Sequence, residues 1–324
     1  MPINSLRLCL AAGALAGVVA GCSSTGTSSA ISPPSRTGNA FVQQSSGTNN
    51  KVVYLSSFDG SPGVGQVFVY LAGLGAHPSS PKRIINHGTV RPFGMWVDST
   101  GTLYVANIPQ GAPTTGITEF HPGGIAPFRT LTDALWYPTE VAVGKDGTVY
   151  VNERLANACT GDCVAIFAPG SATITRTVPL NFSGYALQSD QMAFDRAGDL
   201  LVGTSTFKDG YHIFKLNVTT FKVSELKVNL TGINGPGLAV DGAGNMYVSS
   251  QYGNLIAVFA PGSENPTRMI TGGAEDLTVM PDGTLYAMTG AGVNEYRPGS
   301  SSPDNTINEP AGNLGFGIAV GPAR

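Results

Sequence analysis

Glu140-Val-Ala-Val-Gly-Lys-Asp-Gly-Thr-Val-Tyr-Val-Asn152 is the stretch that decides the fold. Two short runs rich in Val and Tyr flank Gly144-Lys-Asp-Gly147, a turn signal between strand signals. The same arrangement stands earlier as Gly94-Met-Trp-Val-Asp-Ser-Thr-Gly-Thr-Leu-Tyr-Val-Ala-Asn107. It returns as Gln191-Met-Ala-Phe-Asp-Arg-Ala-Gly-Asp-Leu-Leu-Val-Gly203 and Gly237-Leu-Ala-Val-Asp-Gly-Ala-Gly-Asn-Met-Tyr-Val-Ser249. A fifth copy is Asp276-Leu-Thr-Val-Met-Pro-Asp-Gly-Thr-Leu-Tyr-Ala-Met288. A sixth first strand, Gly317-Ile-Ala-Val-Gly321, lacks a following partner, and that partner stands at the other end as Lys51-Val-Val-Tyr-Leu-Ser-Ser57.

With Trp96, Ala142, Ala193, Ala239, Thr278 and Ala319 taken as equivalent, the spacings are 46, 51, 46, 39 and 41 residues. Short strands at a period of about forty to fifty are the mark of propeller blades. Each repeat supplies a third strand, such as Ile117–Phe120, Val164–Phe167, Ile256–Phe259 or Val293–Tyr296, followed by a Pro-Gly turn. A polar fourth strand comes next, as in Phe128–Leu131 and Thr267–Ile270. The predicted fold is all-β: a six-bladed β-propeller with four-stranded blades, its first blade assembled from both ends of the folded region. Its inner strand would be 317–321 and its others would lie near 52–57, 66–71 and 82–86. Such closure pairs edges that an open ring would leave exposed.

The repeat resembles the NHL and SMP-30/gluconolactonase-like propellers over nearly all of residues 51–324. The resemblance implies fold more strongly than activity, since this architecture hosts binders, lactonases, lyases and scaffolds. The gluconolactonase-like enzymes hold a divalent metal with Glu, Asn and Asp just before the inner strands. The matching positions here are Phe93, Thr139, Asp190, Pro236, Glu275 and Phe316, so Asp190 and Glu275 are the metal ligands the resemblance implies.

The start of the chain bears on location. Arg7 precedes an apolar run from Leu8 to Ala20, the order of a secretory signal, and the run is too short for an ordinary transmembrane helix. It ends in Val19-Ala20-Gly21-Cys22, which resembles the lipobox of bacterial lipoproteins and makes Cys22 the lipidation site. The expected division is a signal peptide over 1–21, a Ser/Thr/Gly-rich tether over 22–50 too polar to fold, and a propeller over 51–324. The protein would sit on the cell envelope, held to the membrane through lipid alone, and on the outer membrane in a Gram-negative cell. In that oxidising setting Cys159 and Cys163 read as a disulfide closing a short loop, with a metal site needing two further ligands as the alternative.

Charged residues are 12% of the chain and the formal net charge is −3, which leaves no basic field for nucleic acid. The four histidines, His77, His87, His121 and His212, fall in different blades and read as surface or packing residues. In a propeller the turns within the first and last strand pairs lie on one face, and here they are short. The loops of the other face are long and varied, and carry Trp136, Tyr137 and Tyr185. The residues opening the inner strands ring the channel mouth on that face, bringing Glu140, Asp190, Gln191, Glu275 and Asp276 together. Clustered carboxylates repel unless a cation or a proton relieves them, which makes a bound Ca2+ or Mg2+ a candidate cofactor. The expected function is a monomeric binding or scaffold module for an envelope protein, a glycan or a small polar ligand. The alternative is a metal-dependent hydrolase or lyase using Asp190, Glu275, Glu140 and Asp276.

Overall fold

The computed structural model describes residues 51–58, 65–73, 78, 80–108, 116–132, 135, 137–153, 162–180, 191–206, 210–233, 235, 237–250, 254–308 and 314–322. Among them the chain forms six antiparallel sheets of four strands, which are the six blades. The first three strands are β1 (Lys51–Phe58), β2 (Gln66–Ala72) and β3 (Arg83–Ile85). The second blade holds β4 (Pro92–Val97), β5 (Leu103–Asn107), β6 (Gly116–Phe120) and β7 (Arg129–Leu131). The third holds β8 (Pro138–Val143), β9 (Val149–Glu153), β10 (Cys163–Phe167) and β11 (Ile174–Pro179). The fourth holds β12 (Met192–Phe194), β13 (Leu200–Thr206), β14 (Gly210–Leu216) and β15 (Val223–Glu225). The fifth holds β16 (Leu238–Val240), β17 (Met246–Ser250), β18 (Leu255–Phe259) and β19 (Arg268–Thr271). The sixth holds β20 (Asp276–Val279), β21 (Leu285–Thr289), β22 (Gly292–Tyr296) and β23 (Asn305–Asn308), and β24 (Leu314–Pro322) follows.

β24 is the inner strand of the first blade and pairs with β1, Val53 opposite Val320 and Tyr54 opposite Ala319. The expected closure by both ends of the propeller is what the structure has. Around the axis β24 meets β4, β4 meets β8, and the contacts continue through β12, β16 and β20 back to β24.

The core is divided among the blade interfaces. Val53, Tyr70, Tyr286 and Val320 join the first blade to the sixth, and Val52, Ile85, Val105 and Phe120 join it to the second. Comparable clusters fill the other four interfaces. A middle strand is covered on both faces, so β5, β6, β9, β10 and β17 are buried along their whole length. Their sequences are correspondingly apolar with little alternation. Outer strands such as β11 have a single buried residue and the rest exposed or half-exposed, which is why they read as polar.

In the second, fourth and fifth blades the first turn is held by an aspartate. Asp98 Oδ1 accepts the N–H groups of Thr100 and Thr102, both at 2.9 Å, and Asp195 and Asp241 do the same in their blades. Gly101 and Gly198 then take φ of 89° and 87°, where a side chain would be strained. Tyr104 and Tyr247 hydroxyls donate to Asp98 and Asp241. Burial and the neighbouring carboxylate push the Tyr247 phenol up to about 12.

The disulfide expectation is corrected. Cys163 opens strand β10 rather than lying in a loop, is fully buried, and pairs in the ladder with Glu153 and Pro179. No disulfide is formed among the described residues, and Cys159 lies outside them. No helix among the described residues is long and apolar enough to cross a membrane.

Candidate functional site

The innermost strand of a blade is an edge strand, so its N–H groups facing the axis have no ladder partner and need other acceptors. The residues at matching positions at or near the start of these strands are, in blade order, Gly317, Gly94, Glu140, Gln191, Gly237 and Asp276. Three are polar and three are glycine. Each polar side chain reaches toward the neighbouring blade that carries glycine.

Glu140 lies over Gly94, where a Cβ would stand 2.4 Å from the Glu140 carboxyl carbon. Its Oε1 accepts the Val141 N–H at 3.0 Å, and its Oε2 accepts Gln191 Nε2 at 3.3 Å. Gln191 Oε1 accepts the N–H groups of Leu238 and Leu277 at 3.3 and 3.5 Å, reaching past Gly237. Asp276 Oδ1 accepts the Leu277 N–H, and its Oδ2 accepts the Ile318 N–H at 2.7 Å. Glu140, Gln191 and Asp276 are all buried. The three side chains therefore plug the channel and supply acceptors to its orphaned backbone donors. The space that Glu140 and Gln191 border is only about 50 Å3, lined also by Met95, Trp96, Phe194, Val240 and Val279 among others.

Electrostatics follow from that burial. Loss of solvent pushes the Glu140 carboxyl well above the usual range, and the charge of Asp276 adds to it. Burial pushes Asp276 up to about 8, against the pull of the two N–H groups on its oxygens.

The divalent-cation cofactor is corrected by this geometry. Glu140 and Asp276 do converge, but their oxygens are taken up by N–H donors. Glu275 sends its carboxyl elsewhere: Oε1 lies 4.0 Å from where a Cβ on Gly290 would stand, in the β21–β22 turn. Neighbours on a strand point to opposite sides, so Glu275 and Asp276 do not share a site. Asp190 lies outside the described residues, as do Trp136, Tyr185 and His77. Among the described residues no three His, Cys, Asp or Glu side chains are grouped to hold a metal ion. Tyr137 is half-buried, and its backbone N–H donates to Glu153 Oε2 at 3.1 Å. His87 and His121 are exposed, His121 stacks on Phe128, and His212 Nδ1 lies 2.7 Å from Glu225.

One feature of the mouth was not read as a binding candidate. Phe93 and Phe316 stack with ring centroids 5.0 Å apart, and both keep some exposure. The signal was their shared place one residue before the inner-strand glycine. Two stacked, part-exposed rings are suited to an apolar or sugar-ring contact.

No protein-family pattern matches the chain, and no curated protein matches it. Solved structures do. A nidogen/laminin complex chain aligns with TM-score 0.61 at 14% identity, over 85% of this chain and 99% of its own. Hydrazine synthase of Kuenenia stuttgartiensis aligns at 0.54 and 14%, over 72% and 90%. A suspected gluconolactonase aligns at 0.51 and 16%, over 78% and 89%. The likeness is one of fold. The chain is a six-bladed propeller similar in architecture to the gluconolactonase-like fold, and at these identities no site chemistry carries across.

Gly94→Ala tests the plug. The methyl group would overlap a buried carboxyl and force it out of its hydrogen bonds to Val141 and Gln191, and overpacking of this kind costs about 1–3 kcal/mol. Urea unfolding should show that loss, and a variant as stable as the parent would mean that Glu140 does not lie over Gly94.

Proposed function

We propose that this chain is an envelope lipoprotein, anchored through Cys22 and a tether over 22–50, whose propeller acts as a non-catalytic binding or scaffold module. It presents the long-loop face to an envelope protein, a glycan or a small polar ligand. The observation that carries the reading is the plugged axis. Glu140, Gln191 and Asp276 spend their polar atoms on one another and on backbone donors, and about 50 Å3 is too little for a substrate. Recognition then falls to the rim, where the Phe93–Phe316 stack and Tyr137 keep exposed surface.

Anchoring and binding are tested separately. Cys22→Ala should move the protein from the detergent phase to the aqueous phase on phase partition, or leave it unprocessed. Processing at the same site with retention in detergent would overturn the lipid anchor. For binding, the Cys22→Ala protein is titrated calorimetrically with peptidoglycan and surface-glycan fragments, with and without Tyr137→Ala. Saturable binding that this substitution weakens tenfold or more supports the module. Turnover of the same compounds counts against it, as does binding that ignores the substitution.

A further inference from the structure

The short-turn face holds a larger space than the axis does. Between the fourth and fifth blades lies a pocket of about 460 Å3, within the roughly 300–1,000 Å3 range of small-molecule sites. Its floor is apolar: Leu201, Met246 and Phe259 are buried members of one core cluster.

The roof explains why the space exists. After β15 the chain crosses from one blade to the next as a strap. At one end the Leu226 N–H donates to the Ile213 carbonyl, and at the other the Asn229 N–H donates to the Glu264 carbonyl at 2.7 Å. Asn229 Nδ2 also donates to Asn265 Oδ1. Leu226 and Val228 pack against the floor cluster but stay only partly buried, so apolar surface on the strap faces the gap.

The rim is charged and unevenly committed. Lys215 is held between Asp195 at 2.6 Å and Asp199 at 2.9 Å, which fixes one wall. Arg196 and Lys227 are exposed, line the opening and have no ion-pair or hydrogen-bond partner among the described residues. Glu264 is the one uncommitted carboxylate beside them. Two cations against one anion over an apolar floor favour a ligand with an anionic head and an apolar body.

We infer that the pocket between the fourth and fifth blades binds small amphipathic carboxylates, with the head at Arg196 and Lys227 and the body on Leu201, Met246, Phe259 and Val228. The site is independent of the long-loop face and stands whether or not that face binds anything.

The test uses the Cys22→Ala chain and three probes of equal length below their micellar concentrations: octanoate, octylammonium and octanamide. Calorimetry should show saturable octanoate binding, with octanamide weaker by at least tenfold and octylammonium absent. Arg196→Ser with Lys227→Ser should weaken octanoate tenfold or more while leaving the melting temperature of the unliganded protein unchanged. Val228→Trp, which fills the space from the strap, should abolish binding of both octanoate and octanamide. Equal binding of the ammonium probe would overturn the charge assignment. Octanoate binding that survives Val228→Trp would place the ligand elsewhere, and no binding of any probe would overturn the site altogether.

Discussion

Removal of residues 314–324 is expected to abolish cooperative unfolding. β24 supplies the inner strand of the first blade, and its Ile318, Ala319 and Val320 are almost fully buried in two inter-blade clusters. Burying a large aliphatic side chain contributes about 1.5–3 kcal/mol. The deletion also strips β1 of a ladder that runs from Lys51 opposite Pro322 to Phe58 opposite Leu314. The Asp276 carboxyl loses the Ile318 N–H as well and is left buried with less compensation. Together these are comparable with the roughly 5–15 kcal/mol by which domains are stable. Urea unfolding followed by tyrosine fluorescence and circular dichroism should lose its sigmoid. A truncated chain with the parent midpoint would mean that the ring does not close through β24.

Stability should fall as pH rises from about 4 to 8, and the plug is the cause. An acid whose pKa is higher in the folded chain than in the unfolded one contributes fully below its unfolded value. The contribution is lost as pH climbs, because the unfolded chain ionises while the buried group cannot. Asp276 moves from 3.8 up to about 8, chiefly through burial, and Glu140 moves in the same direction. Each pH unit in that window removes about 1.4 kcal/mol per such group. Asp276 alone accounts for a decline of roughly 6 kcal/mol across the window. Glu140→Gln keeps the shape and removes one titration. Its amide nitrogen would face that of Gln191, so the variant should be less stable than the parent at pH 5. It should decline less steeply toward pH 8. A parent whose unfolding free energy is flat across the window would mean that water reaches the carboxyls.

The hairpin repeat was legible because each copy carries its own local signals: Val, Tyr and Leu in the strands, and Asp or Gly where the turn requires them. Closure was legible too, since an inner strand without a mate stood at one end and a mate without an inner strand at the other. Orientation at the axis was not. Sequence places Glu140, Asp190, Glu275 and Asp276 near one mouth, but a strand turns adjacent residues apart, so Glu275 and Asp276 cannot be added together. Nor does sequence show that Gly94 is the space over which Glu140 lies. Gly317 is a tighter case: a Cβ there would stand 1.8 Å from the Phe93 carbonyl oxygen. Cys163 was misplaced for a different reason. Its closeness to Cys159 suggested a loop, whereas Cys163-Val-Ala-Ile-Phe167 is itself a buried strand.

The pairing of β1 with β24 also governs the order in which the molecule can assemble. Ser56 and Phe316, joined by a hydrogen bond, stand 260 residues apart in the chain. Bringing such distant ends together carries a loop-closure entropy of about 5 kcal/mol, which no local hairpin has to meet. Contacts of this span slow folding. Each of the other blades is contiguous and can form as soon as its four strands are available. β1 can pair early with β2, yet its other edge, carrying Val52, Tyr54 and Leu55, waits for the last strand to be synthesised. Until then that edge is open to any passing strand, so the step most exposed to aggregation is also the final one.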